Sequence, residues 1–255
     1  MSSTDADTKR RSRKKAPASK AASKMADDQP KFAVEQPVLH VVKRRTVLVN
    51  GPKGGLGKTT LVRNLAVAAA RTGLRVALAD LDPQQTLLKW WSRRPEGLAE
   101  VSVWAAEPSD SQELLDVIDG QDFDVLIIDT PPGLEKYPED VQRLIEASDL
   151  LLIPCGPSSD ESESVVPWME YVGRFGKPAA FVLTRVDRRS TSVKETKLEL
   201  NAIGRLCPIE IPQSEDIKRA SKIGIGVQEI AKAFGAAEIE GVWAFVCQEL
   251  GLKKG

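Results

Sequence analysis

The chain is poor in residues that build covalent or metal-held frameworks. Its 255 residues include three cysteines, Cys155, Cys207 and Cys247, which are far apart and form no C-x-x-C pair, and one histidine, His40. Disulfide scaffolds, structural zinc sites and cysteine-held clusters therefore have no support in the sequence. The three thiols read as buried or idle groups in a reducing cytoplasm. No apolar run approaches the roughly 18 residues of a membrane span, and the N-terminus lacks the apolar core of a secretory signal. Excess charge of either sign is also missing, since 36 basic residues balance 36 acidic ones. With 42% apolar and 28% charged residues, the composition is that of an ordinary soluble globular protein. The length suits one α/β domain with a flexible end.

The zero net charge hides a split. Residues 1–24 hold Lys9, Arg10, Arg11, Arg13, Lys14, Lys15, Lys20 and Lys24 against Asp5 and Asp7, a net +6, so the remainder carries −6. This Ser/Ala/Lys-rich stretch has no aromatic residue and cannot bury enough apolar surface to fold. It reads as a solubilising tail, or as an arm drawn to nucleic-acid phosphates without sequence preference. A cleaved targeting peptide is a poorer fit because of Asp5 and Asp7. Asp27 to His40, with Pro30 and Pro37, reads as linker. The expected organisation is a disordered basic tail and linker over 1–40, then one folded domain over 41–255.

From Arg45 onward, apolar runs alternate with helical patterns. Strands are expected at Thr46–Val49, Arg75–Ala79, Val101–Ala105, Phe123–Ile128, Leu150–Pro154, Ala179–Leu183 and Leu206–Ile211. Helical patterns lie near 59–72, 84–93, 110–118, 138–147, 160–175, 190–203, 214–221, 227–234 and 238–250. Short, continuous, β-branched runs mark strands covered on both faces. Their alternation with helices predicts an α/β fold, a mostly parallel sheet flanked by helices on both faces. Pro167, inside the 160–175 pattern, predicts a kink or a late start. The last helix carries a core-like stripe of Ile239, Val242, Trp243, Val246 and Leu250. The residues after it are too few for an interfacial membrane anchor.

The most informative segment is Asn50-Gly51-Pro52-Lys53-Gly54-Gly55-Leu56-Gly57-Lys58-Thr59-Thr60. It lies between an apolar strand and a helical pattern, the context of a phosphate loop. Glycines let backbone N–H groups turn toward phosphate oxygens, and the helix start offers its positive end to the same anion. Lys58 then reaches the β/γ-phosphates and the Thr59 hydroxyl can bind Mg²⁺. The loop departs from G-x-x-x-x-G-K-[ST] in having Pro52 at the first glycine position, and it carries a second lysine, Lys53. Lys53 reads either as a solvated loop residue or as a cation for the bound triphosphate.

Two further strand ends carry acids. Asp80-Leu81-Asp82-Pro83-Gln84 follows the second strand, and Asp129-Thr130-Pro131-Pro132-Gly133 ends the fourth. In open α/β sheets ligands collect at the carboxyl ends of strands, where such acids can handle Mg²⁺ and water. Asp82 could equally cap a helix beginning at Pro83, and Asp129 could cap a turn.

K-G-G-x-G-K-T-T, D-x-D-P-Q and D-T-P-P-G, at intervals of about 22 and 47 residues, resemble the deviant Walker-A ATPases of the ParA/MinD family. The resemblance runs over roughly 45–235. It implies a P-loop ATPase that holds ATP and Mg²⁺ between two protomers. Lys53, Gly54, Gly55, Leu56, Gly57, Lys58, Thr59 and Thr60 would form the nucleotide cradle, with Lys53 reaching the partner's nucleotide. Asp82 would position the attacking water with Asp80 in support. Thr59 and Asp129 would serve the metal, and Pro131–Gly133 would sense the γ-phosphate. Pro212 and Ser214 match positions that frame the adenine. The resemblance further implies an ATP-dependent homodimer, a non-specific DNA track in a nucleoid-associated cytoplasmic location, a cargo such as a plasmid, chromosome or protein assembly, and a partner that stimulates hydrolysis. Glu215 and Asp216 stand where some relatives carry a DNA-binding arginine. That shifts the expectation to the tail and to Lys218/Arg219, beside Lys43-Arg44-Arg45, Arg185, Arg188, Arg189 and Lys222. A MinD-like membrane partner and a small-molecule synthetase on the same scaffold are the alternatives. The Trp90–Trp91 pair reads as packing.

Overall fold

A computed structural model describes residues 39–40, 43–187 and 189–254. The basic tail, most of the linker and Arg188 lie outside the described residues. Residues 36–255 cluster as one unit. The short strand β1 (Leu39–His40) pairs antiparallel with β9 (Lys253–Lys254). The remaining strands are β2 (Arg45–Val49), β3 (Val76–Asp80), β4 (Val101–Ala105), β5 (Val125–Asp129), β6 (Leu150–Cys155), β7 (Ala179–Leu183) and β8 (Arg205–Leu206). They form one seven-stranded sheet in the order β4-β3-β5-β2-β6-β7-β8. Every pairing in it is parallel.

Alternation along each strand decides which helices cover which face. Val47 and Val49 point into a core shared with α1 (Lys58–Ala70), α2 (Thr86–Trp91), α7 (Glu215–Lys222) and α8 (Ala236–Leu250). Leu48 points into the opposite core, built with α3 (Ser111–Asp119), α4 (Pro138–Ala147), α5 (Ser159–Gly173) and α6 (Ser192–Ile203). The central strands β3, β5 and β6 are buried along their whole length. That explains their unbroken apolar runs. The stripe of α8 is core: Ile239, Val242, Trp243, Val246 and Leu250 are all buried. Among the described residues no helix is long and apolar enough to cross a membrane.

Three expectations change. The strand expected over Leu206–Ile211 is ordered as strand only at Arg205–Leu206. Pro208 has no N–H for a ladder, so the chain leaves the sheet and returns through Ile211 N–H donating to Leu183 O at 2.9 Å and a Val186–Pro212 bridge. The 227–234 helix is a single 3-10 turn, Val227–Glu229. Tertiary bonds hold it there: Asn64 of α1 accepts from Val227 N–H and from the Gln228 amide, both at 2.9 Å. Helix α5 neither begins nor ends at Pro167. Pro167 is exposed, so the carbonyl four residues back, on Glu163, can turn to water. Trp90 is packing, as expected, fully buried with its indole N–H donating to Ile225 O at 3.2 Å.

The loop after α2 is tied to the 3-10 turn by a buried ion pair. The Arg94 guanidinium grips Glu229 at 2.6 and 2.9 Å, with side chains 7% and 4% exposed. Removing one partner leaves a buried unpaired charge. Glu229→Ala is therefore expected to lower the unfolding free energy by about 3 kcal/mol. The double change Arg94→Met with Glu229→Leu should restore most of it, as read by urea denaturation.

Candidate nucleotide site

Parallel pairing in register brings β2, β3 and β5 to a common carboxyl edge. Val49 pairs with Asp129, and Asp129 with Asp80. The phosphate loop leaves β2 at this edge and closes at Gly57, whose φ of 93° lies in the left-handed region open to glycine. Helix α1 starts immediately after it. No side chain caps α1, and its first turn contains no acid, whereas α4, α5 and α7 each carry two acids there. The first-turn N–H groups of α1 are thus left for an anion.

The two loop lysines are placed differently. Lys58 is buried, 6% exposed, and its ammonium donates to Gly51 O at 3.2 Å and Lys53 O at 2.9 Å. The loop wraps its own cation, which fixes that charge at the centre of the cradle. Lys53 is exposed at the lip, and its ammonium donates to the Asp160 carbonyl in the first turn of α5 at 2.8 Å.

The three acids differ in the same way. Asp129 is fully buried, and no donor meets either carboxylate oxygen in good hydrogen-bond geometry, although the Thr59 hydroxyl approaches closely enough to favour the ionised form. Burial pushes its pKa up to about 7. Repulsion from Asp80 and Asp82 adds to the rise, while the Thr59 hydroxyl and the Lys58 ammonium oppose it. Asp80 is also buried, but its oxygens accept from Asp82 N–H at 3.2 Å and Leu88 N–H at 2.9 Å. It therefore shapes the loop after β3. Asp82 is half-buried and accepts from Gln84 N–H at 2.9 Å, a local turn bond. It is not a helix cap, because α2 begins later, after Gln85.

A Mg²⁺ ion keeps several waters and takes one or two carboxylates together with substrate phosphates. Asp129, with two orphaned oxygens beside Thr59, fits that donor set. Thr130 and Gly133 hold the following loop against the cradle, through Thr130 Oγ1 to Val49 O at 2.9 Å and Gly133 N–H to Pro52 O at 3.3 Å. Sequence reasoning missed Thr184, whose hydroxyl donates to Leu56 O at 2.9 Å and pins the loop to the end of β7. It also missed Asn64 and Arg63. Polar residues on an otherwise buried helix were the signal. Pro212 and Ser214 line a pocket of about 360 Å³ together with Gly57, Thr60 and Thr184. Ser214 is committed to the fold as well, capping α7 through Asp216 and Ile217 and donating to Phe234 O at 2.6 Å.

Residues 47–227 match the model of the CobQ/CobB/MinD/ParA nucleotide binding domain. The chain belongs to this family. ParA/MinD members of it are ATPases. One similar relative is the maintenance of carboxysome distribution protein A of Gloeobacter kilaueensis, 33% identical over 150 residues. That alignment covers 57% of this chain and 65% of the relative. The protein of the same name from Halothiobacillus neapolitanus is 30% identical, over 64% of this chain and 76% of its own length. Among solved structures, Pyrococcus furiosus cell division ATPase MinD superposes with a TM-score of 0.68 at 20% identity, over 81% of this chain and 99% of that one. Apo McdA from Cyanothece gives 0.65 at 20%, over 82% and 100%. These two likenesses are of fold.

The buried acid makes a stability prediction for the nucleotide-free protein. A carboxyl with a raised folded-state pKa weighs against folding above its unfolded pKa near 4, and the penalty is complete above about pH 7. Asp129→Asn is therefore expected to raise Tm by about 2–6 °C at pH 8. The gain should vanish as pH falls toward 4, and the variant should lose Mg²⁺-dependent stabilisation by nucleotide. Thermal melts across pH, with and without MgATP, check both parts.

Proposed function

We propose that this ParA/MinD-type positioning ATPase works as an ATP-dependent dimer on non-specific DNA, carrying a plasmid, chromosome or large protein assembly and released by a partner that stimulates hydrolysis. The observation that carries this reading is the division between the two loop lysines. Lys58 is locked inside the cradle by backbone carbonyls. Lys53 stands outside it, held by one carbonyl of α5. A lysine needs little to exchange one exposed carbonyl for a phosphate, so Lys53 is free to serve a nucleotide held by a second copy.

In this scheme Lys58 and the loop N–H groups bind the β- and γ-phosphates of ATP. Thr59 and Asp129 would hold Mg²⁺, which when bound offsets phosphate charge. Asp82, half-buried at the same edge, positions the water that attacks the γ-phosphate, and Asp80 holds the loop that carries Asp82. Lys53 of each protomer neutralises charge on the other's transferring phosphoryl group. The segment 131–133 reports the γ-phosphate to the dimer face. Pro212 and Ser214 frame the base.

The DNA assignment rests on charge that stays available. Several basic groups on the folded body are already paired: Arg44 with Asp119, Arg45 with Asp149, Arg185 with Glu161, Lys218 with Glu215 and Arg219 with Asp216. The net +6 of residues 1–24 then makes the tail the main electrostatic contact. The apolar stripe of α8 is buried in the core and offers nothing to a membrane surface. A relative in fold that acts as a synthetase, cobyrinic acid a,c-diamide synthase from Mycobacterium smegmatis, marks the alternative. Turnover driven by a small metabolite and indifferent to DNA would favour it.

Lys58→Ala is expected to abolish nucleotide binding. Asp82→Ala should accumulate an ATP-bound dimer on size-exclusion chromatography with light scattering; fast hydrolysis by that variant would remove Asp82 from its role. Lys53→Ala should bind ATP yet stay monomeric, with turnover down about 100-fold or more. Deleting residues 1–24 should sharply reduce ATP-dependent, salt-sensitive DNA retention in a filter or gel-shift assay, and unchanged retention would move the contact to the body.

A further inference from the structure

Arg63 takes no part in the scheme above, yet it is a buried cation with an unsatisfied donor. It sits one helical turn past Thr59 on α1 and is 9% exposed. Its guanidinium donates to Thr60 Oγ1 at 2.7 Å, and its Nε has no partner. Asp129 attracts it without a contact, and Arg93 repels it. Burial is the largest influence and brings its pKa down to about 10, so the group stays charged at neutral pH. A buried charge with no carboxylate in contact weighs against folding.

The same side chain lines the 360 Å³ pocket that adjoins Gly57 and Thr60. Arg185, Lys218 and Lys222 also line it, but Glu161 and Glu215 pair with the first two, and Lys222 is exposed to water. Neither Lys53 nor Asp82 nor Asp129 lines it. The pocket thus lies apart from the residues assigned to the γ-phosphate, and its buried unneutralised charge is Arg63.

We propose that Arg63 sets nucleotide affinity: it is a preplaced cation whose counter-charge is the part of the phosphate chain nearest the nucleoside, held jointly with the Thr60 hydroxyl. The assignment rests on the reading that a nucleoside triphosphate occupies the loop. Because Arg63 is separate from the γ-phosphate residues, it contributes equally to ATP and ADP. Its lack of an acidic partner makes it stabilising in the liganded protein and costly in the free one, the opposite of a packing residue.

The test measures Tm of the nucleotide-free full-length chain, and Kd for MgATP and MgADP by calorimetry, in wild type, Arg63→Met and Arg63→Lys. Arg63→Met is expected to leave the nucleotide-free Tm unchanged or raised and to weaken both nucleotides about ten-fold or more. Arg63→Lys, which keeps the charge without the planar fork, should fall between. A lowered Tm with wild-type affinity would make Arg63 a packing residue. Loss confined to ATP would place it at the γ-phosphate and overturn the assignment. Should Arg63→Met fail to fold, Arg63→Gln, which keeps a donor for Thr60 without charge, carries the same comparison. A wild-type chain that binds neither nucleotide removes the functional reading itself, whereas wild-type binding with undiminished variant binding removes only the role of Arg63.

Discussion

Charge held out of water at the carboxyl edge of a parallel sheet governs this molecule. Asp129, Lys58 and Arg63 are all buried near the start of α1. Two of the three lack full compensation from the protein, since no donor meets Asp129 in good hydrogen-bond geometry and Arg63 Nε has no partner. Such groups weigh against folding when alone, and they interact strongly with any charged ligand because little solvent screens them. The nucleotide site is therefore an electrostatic arrangement that a phosphate chain and a divalent cation would complete.

The loops around the site are tied to one another. Thr184 pins the phosphate loop to β7, and Gly133 pins the loop after β5 to Pro52. Asn64 clasps the 3-10 turn that follows α7. Arg94 and Glu229 join that turn to the segment after α2. Gly224, with φ of 78°, packs so closely on the backbone of Arg93 and Arg94 that a side chain there would overlap it. The segment after α2 and the segment after α7 are thus packed on one another, with Arg94 donating to Gly224 O at 3.3 Å although 130 residues separate the two in the chain.

Much of this was legible in the residues. The strand cores were read to within one or two residues, because buried parallel strands are continuous apolar runs. The phosphate loop and the two acidic strand ends announced themselves by spacing. The failures have a common cause. Residues 227–234 have helical periodicity, but Asn64 and Arg94 hold them as a turn. Pro208 breaks an edge strand whose apolar pattern continues past it. Helix α5 runs through Pro167 instead of starting there, with the proline on its exposed face. In each case a partner distant in sequence, or the direction of one face, outweighed local preference.

The sequence alone determined the α/β layering, the cradle, and the identity of the acids at its edge. These follow from local rules, since periodicity selects strand or helix and glycine permits the loop. Only the tertiary structure decided what each charge does. It tied Asp80 to backbone N–H groups, left Asp129 bare, turned Lys53 outward and Lys58 inward, and set Arg63 in a pocket without a carboxylate. Those distinctions depend on which groups are removed from water together, a property of packed three-dimensional neighbours that no stretch of chain contains by itself.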